Sequence, residues 1–151
     1  MKRVCKHPTV NRDYHIEEKF EAGLVLTGSE VKSLRNGKAS IKESYAVAQR
    51  GEVHLVGSYI APYEAAGALD HEPNRSRKLL LKKREIDKLI GKTQMKGYTL
   101  VPTSIYFRGG FAKVEVALAK GKKLYDKRSD VKKREADREM ERAMKREMKR
   151  R

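Results

Sequence analysis

The chain is short of the residues that cross-link a protein or anchor it in a membrane. It has one cysteine, Cys5, no tryptophan, and only four prolines among 151 residues. A single cysteine cannot form a disulfide within the chain or build a cysteine-based zinc site. No apolar run approaches the ~20 residues that a membrane-spanning helix needs, and residues 1–8 lack the apolar segment of a secretory signal. We therefore expect a cytoplasmic protein with no membrane partner.

The sequence also has little that could carry catalysis or hold a metal ion. None of its four histidines shows the spacing of a metal-ligand motif: these are His7, His15, His54 and His71. Carboxylates stand mostly beside lysine or arginine, where solvated ion pairing is the ordinary explanation. The sequence thus predicts no catalytic site, no metal site and no cofactor.

What the chain does have is an excess of positive charge. It contains 36 Lys and Arg against 20 Asp and Glu, for a formal net charge of +16. Residues 120–151 hold 15 basic and 7 acidic residues, so about half of the excess lies there and half in the rest of the chain. Neither Trp nor Phe occurs in this last segment, which disfavours a membrane-surface helix. A nucleic-acid partner is the better explanation.

Before residue 120 the pattern is mostly that of β-strands. Apolar residues alternate, and turn residues such as Arg50-Gly51 and Gly109-Gly110 separate neighbouring runs as in hairpins. The strands are expected at about residues 14–26 (with a bend at Gly23), 45–49, 52–56, 59–62, 98–107 and 111–119. Leu79-Leu80-Leu81 should re-enter the core, and residues 64–77 should form a long loop.

Two helices interrupt the strands. Thr27 and Glu30 have the spacing of a capping box, and Val31 and Leu34 then fall on one helical face. A second helix is expected over about residues 83–95. Such a set predicts a mainly β fold: an oligonucleotide-binding-type small β-barrel of about six strands with two or three helices. This domain should span residues 1–120.

Residues 121–151 are expected to form a basic C-terminal tail. A helix could begin near Val131, after a cap from Ser129 or Asp130. Arginine recurs at every fourth position, at Arg138, Arg142, Arg146 and Arg150. Like charges in one stripe destabilise an isolated helix. We therefore expect a tail that is disordered when free and helical when bound to a polyanion.

Several residues of the body are candidates for contact with RNA, and each also has a purely structural explanation. Glu30 could cap the helix, accept hydrogen bonds from a base edge, or do both. Lys32 and Arg35 could face phosphates or only solvent. The segment 71–78 combines basic residues with His71, whose ring could stack on a base.

Four ordered motifs make the chain similar to a known family. Residues 21–35, 74–81, 98–102 and 121–128 match the pattern of the SsrA-binding protein family (small protein B), the bacterial partner of tmRNA in trans-translation. The resemblance implies a monomeric barrel that grips the tRNA-like domain of tmRNA. It also implies a tail that enters the decoding centre and mRNA path of a stalled ribosome.

The residues that this reading assigns to tmRNA are Asn11, Arg12, Glu30, Lys32, Ser33, Arg35, His71, Arg75, Arg77 and Lys78. Those assigned to the ribosome are Gly121, Lys122, Lys123, Tyr125, Asp126, Lys127, Arg128, Lys132, Lys133 and Arg134. Some family members carry His where this chain has Tyr125. Both rings can stack on a base, but their hydrogen bonding differs.

Two other classes of protein stay open. A general RNA-binding barrel of the initiation-factor or ribosomal-protein type would not need the motif of residues 121–128, and it would not prefer a tRNA-like fold. An RNA-processing enzyme would need a metal site or an acid/base pair that the sequence does not reveal.

Overall fold

The computed structural model describes residues 2–121, 138–140 and 142. Its strands are β1 (Lys2–Lys6), β2 (Tyr14–Leu24), β3 (Ala39–Ser40), β4 (Tyr45–Gln49), β5 (Glu52–Val56), β6 (Tyr59–Ile60), β7 (Arg77–Leu80), β8 (Tyr98–Arg108) and β9 (Phe111–Gly121). Its helices are α1 (Val10–Asp13), α2 (Gly28–Arg35) and α3 (Lys83–Thr93), with a 3-10 helix at Glu64–Leu69. Residues 138–140 and 142 are helical and exposed.

Six antiparallel strands close into a ring, which confirms the predicted mainly β barrel. Their order is β8-β4-β5-β7-β2-β9, and β9 returns to pair with β8. Strand β8 is long enough to have further partners, pairing with β4 at Leu100 and with β1 from Ser104 to Phe107. Closure leaves the ring strands without a long unpaired edge.

The core fills the inside of this ring and continues under two helices. Leu55, Leu100 and Val116 are fully buried from three different strands, and Leu34 of α2 and Leu89 of α3 join the same apolar cluster. Burying a leucine side chain contributes roughly 1.5–3 kcal/mol. The two helices are therefore fixed to the barrel by apolar contacts as well as by polar ones.

Both predicted two-residue hairpins are present. Arg50 and Gly51 have φ of 53° and 75°, and Gly109 and Gly110 have φ of 59° and 81°. Two consecutive positive φ angles are the requirement of the tight turn that matches the twist of paired strands. These turns set the registers of β4 with β5 and of β8 with β9.

Gly23 marks a change of partner within β2 and does not end the strand. It pairs with Lys113 of β9 and also with Leu80 of β7. A Cβ atom at Gly23 would lie 3.2 Å from the Cβ of Leu80. The missing side chain therefore lets β7 approach β2. The one shift in register between β2 and β9 lies elsewhere, between Ile16 and Glu18.

Three expectations about the body were incomplete or wrong. The predicted loop of residues 64–77 contains the 3-10 helix Glu64–Leu69 and ends in β7. Leu80 is 56% exposed, since neighbours along a strand face opposite sides, whereas Leu79 is buried and Leu81 packs partly buried against the core. Strand β1 and helix α1 were not predicted, because short polar segments give no periodic signal.

The predicted boundary between barrel and tail is also displaced. Gly121 was assigned to the tail, but it is the last residue of β9 and pairs with Tyr14 of β2. The strand expected over residues 111–119 thus runs two residues further, and one residue past the expected end of the domain at residue 120.

Candidate nucleic-acid interface

Helix α2 is fixed at its start by the capping box that the sequence predicted. Thr27 Oγ1 accepts a hydrogen bond from the Glu30 amide at 3.4 Å, and Glu30 Oε1 accepts one from the Thr27 amide at 2.9 Å. The two bonds satisfy amides that a helix start leaves without partners. The prediction of a cap by Thr27 and Glu30 is confirmed.

Glu30 also lies at the centre of a buried ion-pair cluster, which comprises Glu30, Arg75 and Arg77. Its Oε1 accepts from Arg75 Nη2 at 2.5 Å, and its Oε2 accepts from Arg77 Nε at 2.5 Å. The side chains of Glu30 and Arg77 are both 0% exposed, whereas that of Arg75 is 37% exposed. A buried charge is stable only when it is paired and hydrogen-bonded, and the two fully buried members, Glu30 and Arg77, meet that condition.

The remaining nitrogens of Arg77 are satisfied by the segment that precedes β7. Nη1 donates to the backbone oxygen and to the hydroxyl of Ser58, both at 2.9 Å, and Nη2 donates to the carbonyl of Pro73 at 3.0 Å. Arg77 therefore joins three parts of the chain: α2, the end of β5 and the turn before β7. Removing it would leave several buried acceptors without donors.

The cluster shifts the ionisation of both of its buried members. Burial raises the pKa of Glu30, but hydrogen bonds from Arg75, from the Thr27 amide and from Arg77 outweigh it and bring that pKa to about 2. Burial lowers the pKa of Arg77, and the Glu30 carboxylate opposes this effect. Glu30 thus stays ionised at any pH at which the protein would work.

Two further contacts hold the inner side of α2 against the same segment. Ser33 Oγ donates to the carbonyl of Ala61 at 2.7 Å, and Ser29 Oγ lies 2.8 Å from His71 Nδ1. His71 Nε2 lies 3.0 Å from the carbonyl of Ile60. Because a carbonyl can only accept, Nε2 carries a hydrogen and donates it to Ile60.

The outer side of α2 carries its positive charge. Lys32 Nζ lies 5.4 Å from the ring centre of Tyr63, and the Arg35 guanidinium lies 5.4 Å from that of Phe107. Both cations are exposed, as the sequence predicted. Contacts of this kind restrict a cation without removing it from solvent.

Beside Arg35 the surface opens into a cleft of about 170 Å³, here called the α2 cleft. Its apolar wall is formed by Val4, Leu34 and Phe107, and Lys2, Arg3 and Arg35 also line it.

A second cleft, here called the Glu21 cleft, shares Arg3 with the first and lies over β2 and β8. Glu21 Oε2 accepts from Tyr106 Oη and from Arg108 Nη1, each at 2.6 Å. Burial and the Glu21 hydrogen bond raise the pKa of Tyr106 to about 12. Lys19, Ser104 and Glu115 also line this cleft. No local pattern indicates this group, because Glu21 of β2 and Arg108 of β8 come together across β9 only in the folded barrel.

The ten residues assigned to RNA from the sequence divide into two groups by exposure. Six are at least partly exposed: Asn11, Arg12, Lys32, Arg35, Arg75 and Lys78. Four have side chains that are buried and hydrogen-bonded within the protein: Glu30, Ser33, His71 and Arg77. Contact with RNA stays a prediction for the first group.

For the buried group the geometry gives a different role. The expectation that His71 and Arg77 stand on an exposed basic loop is wrong, because the side chain of His71 is 1% exposed and Arg77 begins β7 with its side chain inward. Both oxygens of Glu30 are occupied, so a base edge could reach them only if the ion-pair cluster opened. These residues hold α2 in place.

The ribosome-binding assignments cannot be placed in the same way. Gly121 lies in β9. The other nine lie outside the described residues: Lys122, Lys123, Tyr125, Asp126, Lys127, Arg128, Lys132, Lys133 and Arg134.

Among residues 2–121, 138–140 and 142, no group of three or more His, Cys, Asp or Glu side chains is arranged to hold a metal ion. Within the same residues, no helix is both long and apolar enough to cross a membrane.

Comparison with known proteins decides the family. A family model described as SmpB protein matches residues 4–146. The chain belongs to the SmpB family. The family resemblance drawn from the four sequence motifs is therefore confirmed.

Curated relatives of this SmpB family member match along most of their length. The SsrA-binding protein of Geobacillus kaustophilus is 54% identical over 135 residues, covering 89% of this chain and 87% of the relative. That of Desulforudis audaxviator is 55% identical over 136 residues, covering 90% and 89%.

A solved structure is similar in fold as well as in sequence. It is described as "tmRNA-SmpB: a journey to the center of the bacterial ribosome", and the two chains superpose with a TM-score of 0.67 at 48% identity. The match covers 80% of this chain and 85% of the other. The barrel described above is therefore the SmpB fold.

Proposed function

We propose that this SmpB family member binds the tRNA-like domain of tmRNA and brings it to stalled ribosomes for trans-translation. The observation that carries the proposal is the identity of more than half with SsrA-binding proteins over about nine-tenths of the chain. The similarity to an SmpB chain described together with tmRNA and the ribosome supports the same partners.

The barrel offers the chemistry that such binding needs. Lys32, Arg35 and Lys78 are exposed cations on α2 and β7. Cations of this kind bind RNA mainly through phosphates, and each contact adds to the salt dependence of binding. The ion-pair cluster holds Glu30, and with it the helix α2 that carries Lys32 and Arg35. The protein thus presents a rigid charged surface to a structured RNA.

Residues 122–151 form the second functional part in this proposal. We infer that this basic tail enters the decoding centre and mRNA path, where it takes the place of the missing codon–anticodon pairing. Two observations support this role: the tail carries about half of the net charge, and residues 121–128 match the family pattern. Under this proposal the protein is a carrier and not an enzyme.

Binding to RNA is tested first, with the full chain and the isolated tRNA-like domain of tmRNA. A stem-loop RNA of equal length without a tRNA-like fold serves as the control. We expect clear preference for the tRNA-like RNA, and a log–log salt slope of several units from about six phosphate contacts. Equal affinity for the two RNAs would favour the alternative of a general RNA-binding barrel of the initiation-factor or ribosomal-protein type.

The tail is tested by a variant that ends at Gly121, so that β9 stays complete. This variant should still fold and bind the tRNA-like RNA, but a reconstituted assay should show that it fails to support peptide tagging on stalled ribosomes. Normal tagging by the shortened protein would overturn the role of the tail and leave the binding proposal standing.

A further inference from the structure

The α2 cleft has a volume and a lining that suit a single aromatic ring. Its volume is about 170 Å³, and an engineered apolar cavity of about 150 Å³ is known to bind benzene. Its wall is formed by Leu34 of α2, Val4 of β1 and Phe107 of β8, which come from three different elements. The walls are fixed, since Leu34 is fully buried and Val4 and Phe107 pack against the same core.

The ends of the cleft are left open by two glycines. Gly37 follows α2 with φ of 73°, and Gly110 lies in the β8–β9 turn with φ of 81°. A Cβ atom at either position would meet no other atom within 4 Å. A chain could therefore pass over the cleft while one of its rings points inward.

The rim of the cleft favours an anion. Lys2, Arg3 and Arg35 line it, and none of its described lining residues is acidic. Lys2 pairs with Phe107 across β1 and β8, which places a cation at the level of the aromatic ring. The Arg35 guanidinium lies over that same ring at 5.4 Å. A partly apolar cleft that is large enough for one ring and has three cations in its lining is complementary to a nucleobase with its flanking phosphates.

We propose that the α2 cleft receives one unpaired nucleotide of the RNA partner, with the base against Phe107 and Val4 and the neighbouring phosphates at Lys2, Arg3 and Arg35. This inference rests on the proposed function and deepens it. It adds a site for one nucleotide base to a protein surface whose other proposed contacts with RNA are to phosphates. Stacking is tolerant of sequence, so the slot should distinguish a paired from an unpaired nucleotide better than one base from another.

The test uses the full chain and two synthetic probes: an unstructured RNA tetranucleotide, and the same tetranucleotide with every base removed. Backbone amide shifts are followed by NMR during each titration. We expect the tetranucleotide to shift Leu34, Gly37 and Gly110 and the abasic probe to bind at least tenfold more weakly. Equal binding of both probes, or shifts that avoid these amides, would overturn the proposal without any variant being needed.

A matched pair of variants locates the stacking ring. Phe107→Leu removes the ring and keeps an apolar side chain, whereas Phe111→Leu makes the same change on the same hairpin at a 72% exposed position outside the cleft. Affinity for the tetranucleotide should fall about tenfold or more with Phe107→Leu and stay unchanged with Phe111→Leu. Equal affinities of the two variants would contradict the proposal.

The same proteins are also titrated with the tRNA-like RNA and sedimented. If the full chain binds the tRNA-like RNA and the slot results fail, the slot is wrong and the proposed function stands. If neither RNA binds, the proposed function itself fails. A second copy of the chain as occupant would appear as a sedimentation coefficient that Phe107→Leu lowers, with no change in oligonucleotide affinity, and this outcome also overturns the proposal.

Discussion

The charged residues on the inner side of α2 and those on its outer side have different roles. On the inner side, Glu30 is fully buried and binds Arg75 and Arg77. On the outer side, Lys32 and Arg35 stay exposed, each with an aromatic ring centre 5.4 Å away. A buried pair is costly to break because the remaining partner cannot be solvated, whereas an exposed cation contributes little to folding. We therefore expect the inner charges to stabilise the fold and the outer ones to raise the affinity for a polyanion.

The largest expected effect follows from breaking the inner pair. Arg77→Met keeps most of the volume but leaves Glu30 Oε2 and the acceptors on Ser58 and Pro73 without their donor. We expect the free energy of unfolding to fall by about 3–5 kcal/mol in urea denaturation. The control, Arg35→Met, changes a cation of the outer side and should stay within about 0.5 kcal/mol of the unmodified protein. Similar losses in both variants would remove the distinction between the two sides.

Low pH should reduce the contribution of the Glu30 ion pairs, on the inner side of α2, to the free energy of unfolding. The pKa of Glu30 is lowered to about 2 from an ordinary value of 4.5. The unfolded chain therefore takes up the proton first, and the contribution of Glu30 is complete above about pH 4.5 and lost as the pH falls towards about 2. Its size is on the order of 3 kcal/mol.

The measurement is urea denaturation at a series of pH values, with Glu30→Gln as the reference. Other carboxylates titrate in both proteins, so the difference in slope between pH 4.5 and 2 isolates Glu30. Parallel curves for the two proteins would mean that the Glu30 carboxylate gains nothing from its arginine partners.

A smaller effect is expected from the cap of α2. Thr27→Ala removes the oxygen that accepts from the Glu30 amide and should cost about 1 kcal/mol of unfolding free energy. Lys82→Ala is the control at the start of α3, where the cap side chain accepts no hydrogen bond and the backbone amide donates to Glu85. It should change stability by less than about 0.5 kcal/mol. Equal losses would show that the Thr27 hydroxyl adds little to the apolar contacts of α2.

The smallest effect on folding, but a clear one on binding, is expected from the outer side. Arg35→Gln should weaken binding of the tRNA-like RNA and reduce the log–log salt slope by about one. The control is Arg50→Gln, which removes an exposed cation from the β4–β5 turn. If Arg35→Gln leaves the salt slope unchanged, or if Arg50→Gln reduces it equally, the outer side of α2 makes no specific contribution to RNA binding.

Local signals were sufficient for much of this protein. Alternating apolar residues located the long strands, the Gly51 and Gly110 turns located the hairpins, and Thr27 with Glu30 located the start of α2, because each of these features depends on neighbours within a few residues. The exposure of Lys32 and Arg35 followed from the same helical period. The family was recognisable from ordered motifs for a similar reason.

Tertiary structure decided which charged residues are available to a partner. Arg75, Arg77 and Lys78 are almost adjacent in sequence and look equally basic there, yet they are partly exposed, buried and exposed in turn. In strand β7 the side chain of Arg77 points inward and donates a hydrogen bond to Glu30, which lies 47 positions earlier in the sequence. The α2 cleft likewise exists only because β1, α2 and β8 meet. Residue type and local periodicity determined the helices, the strands and the net charge. Long-range strand pairing determined which charged side chains are buried and stabilise the fold, since burial is a property of the closed barrel.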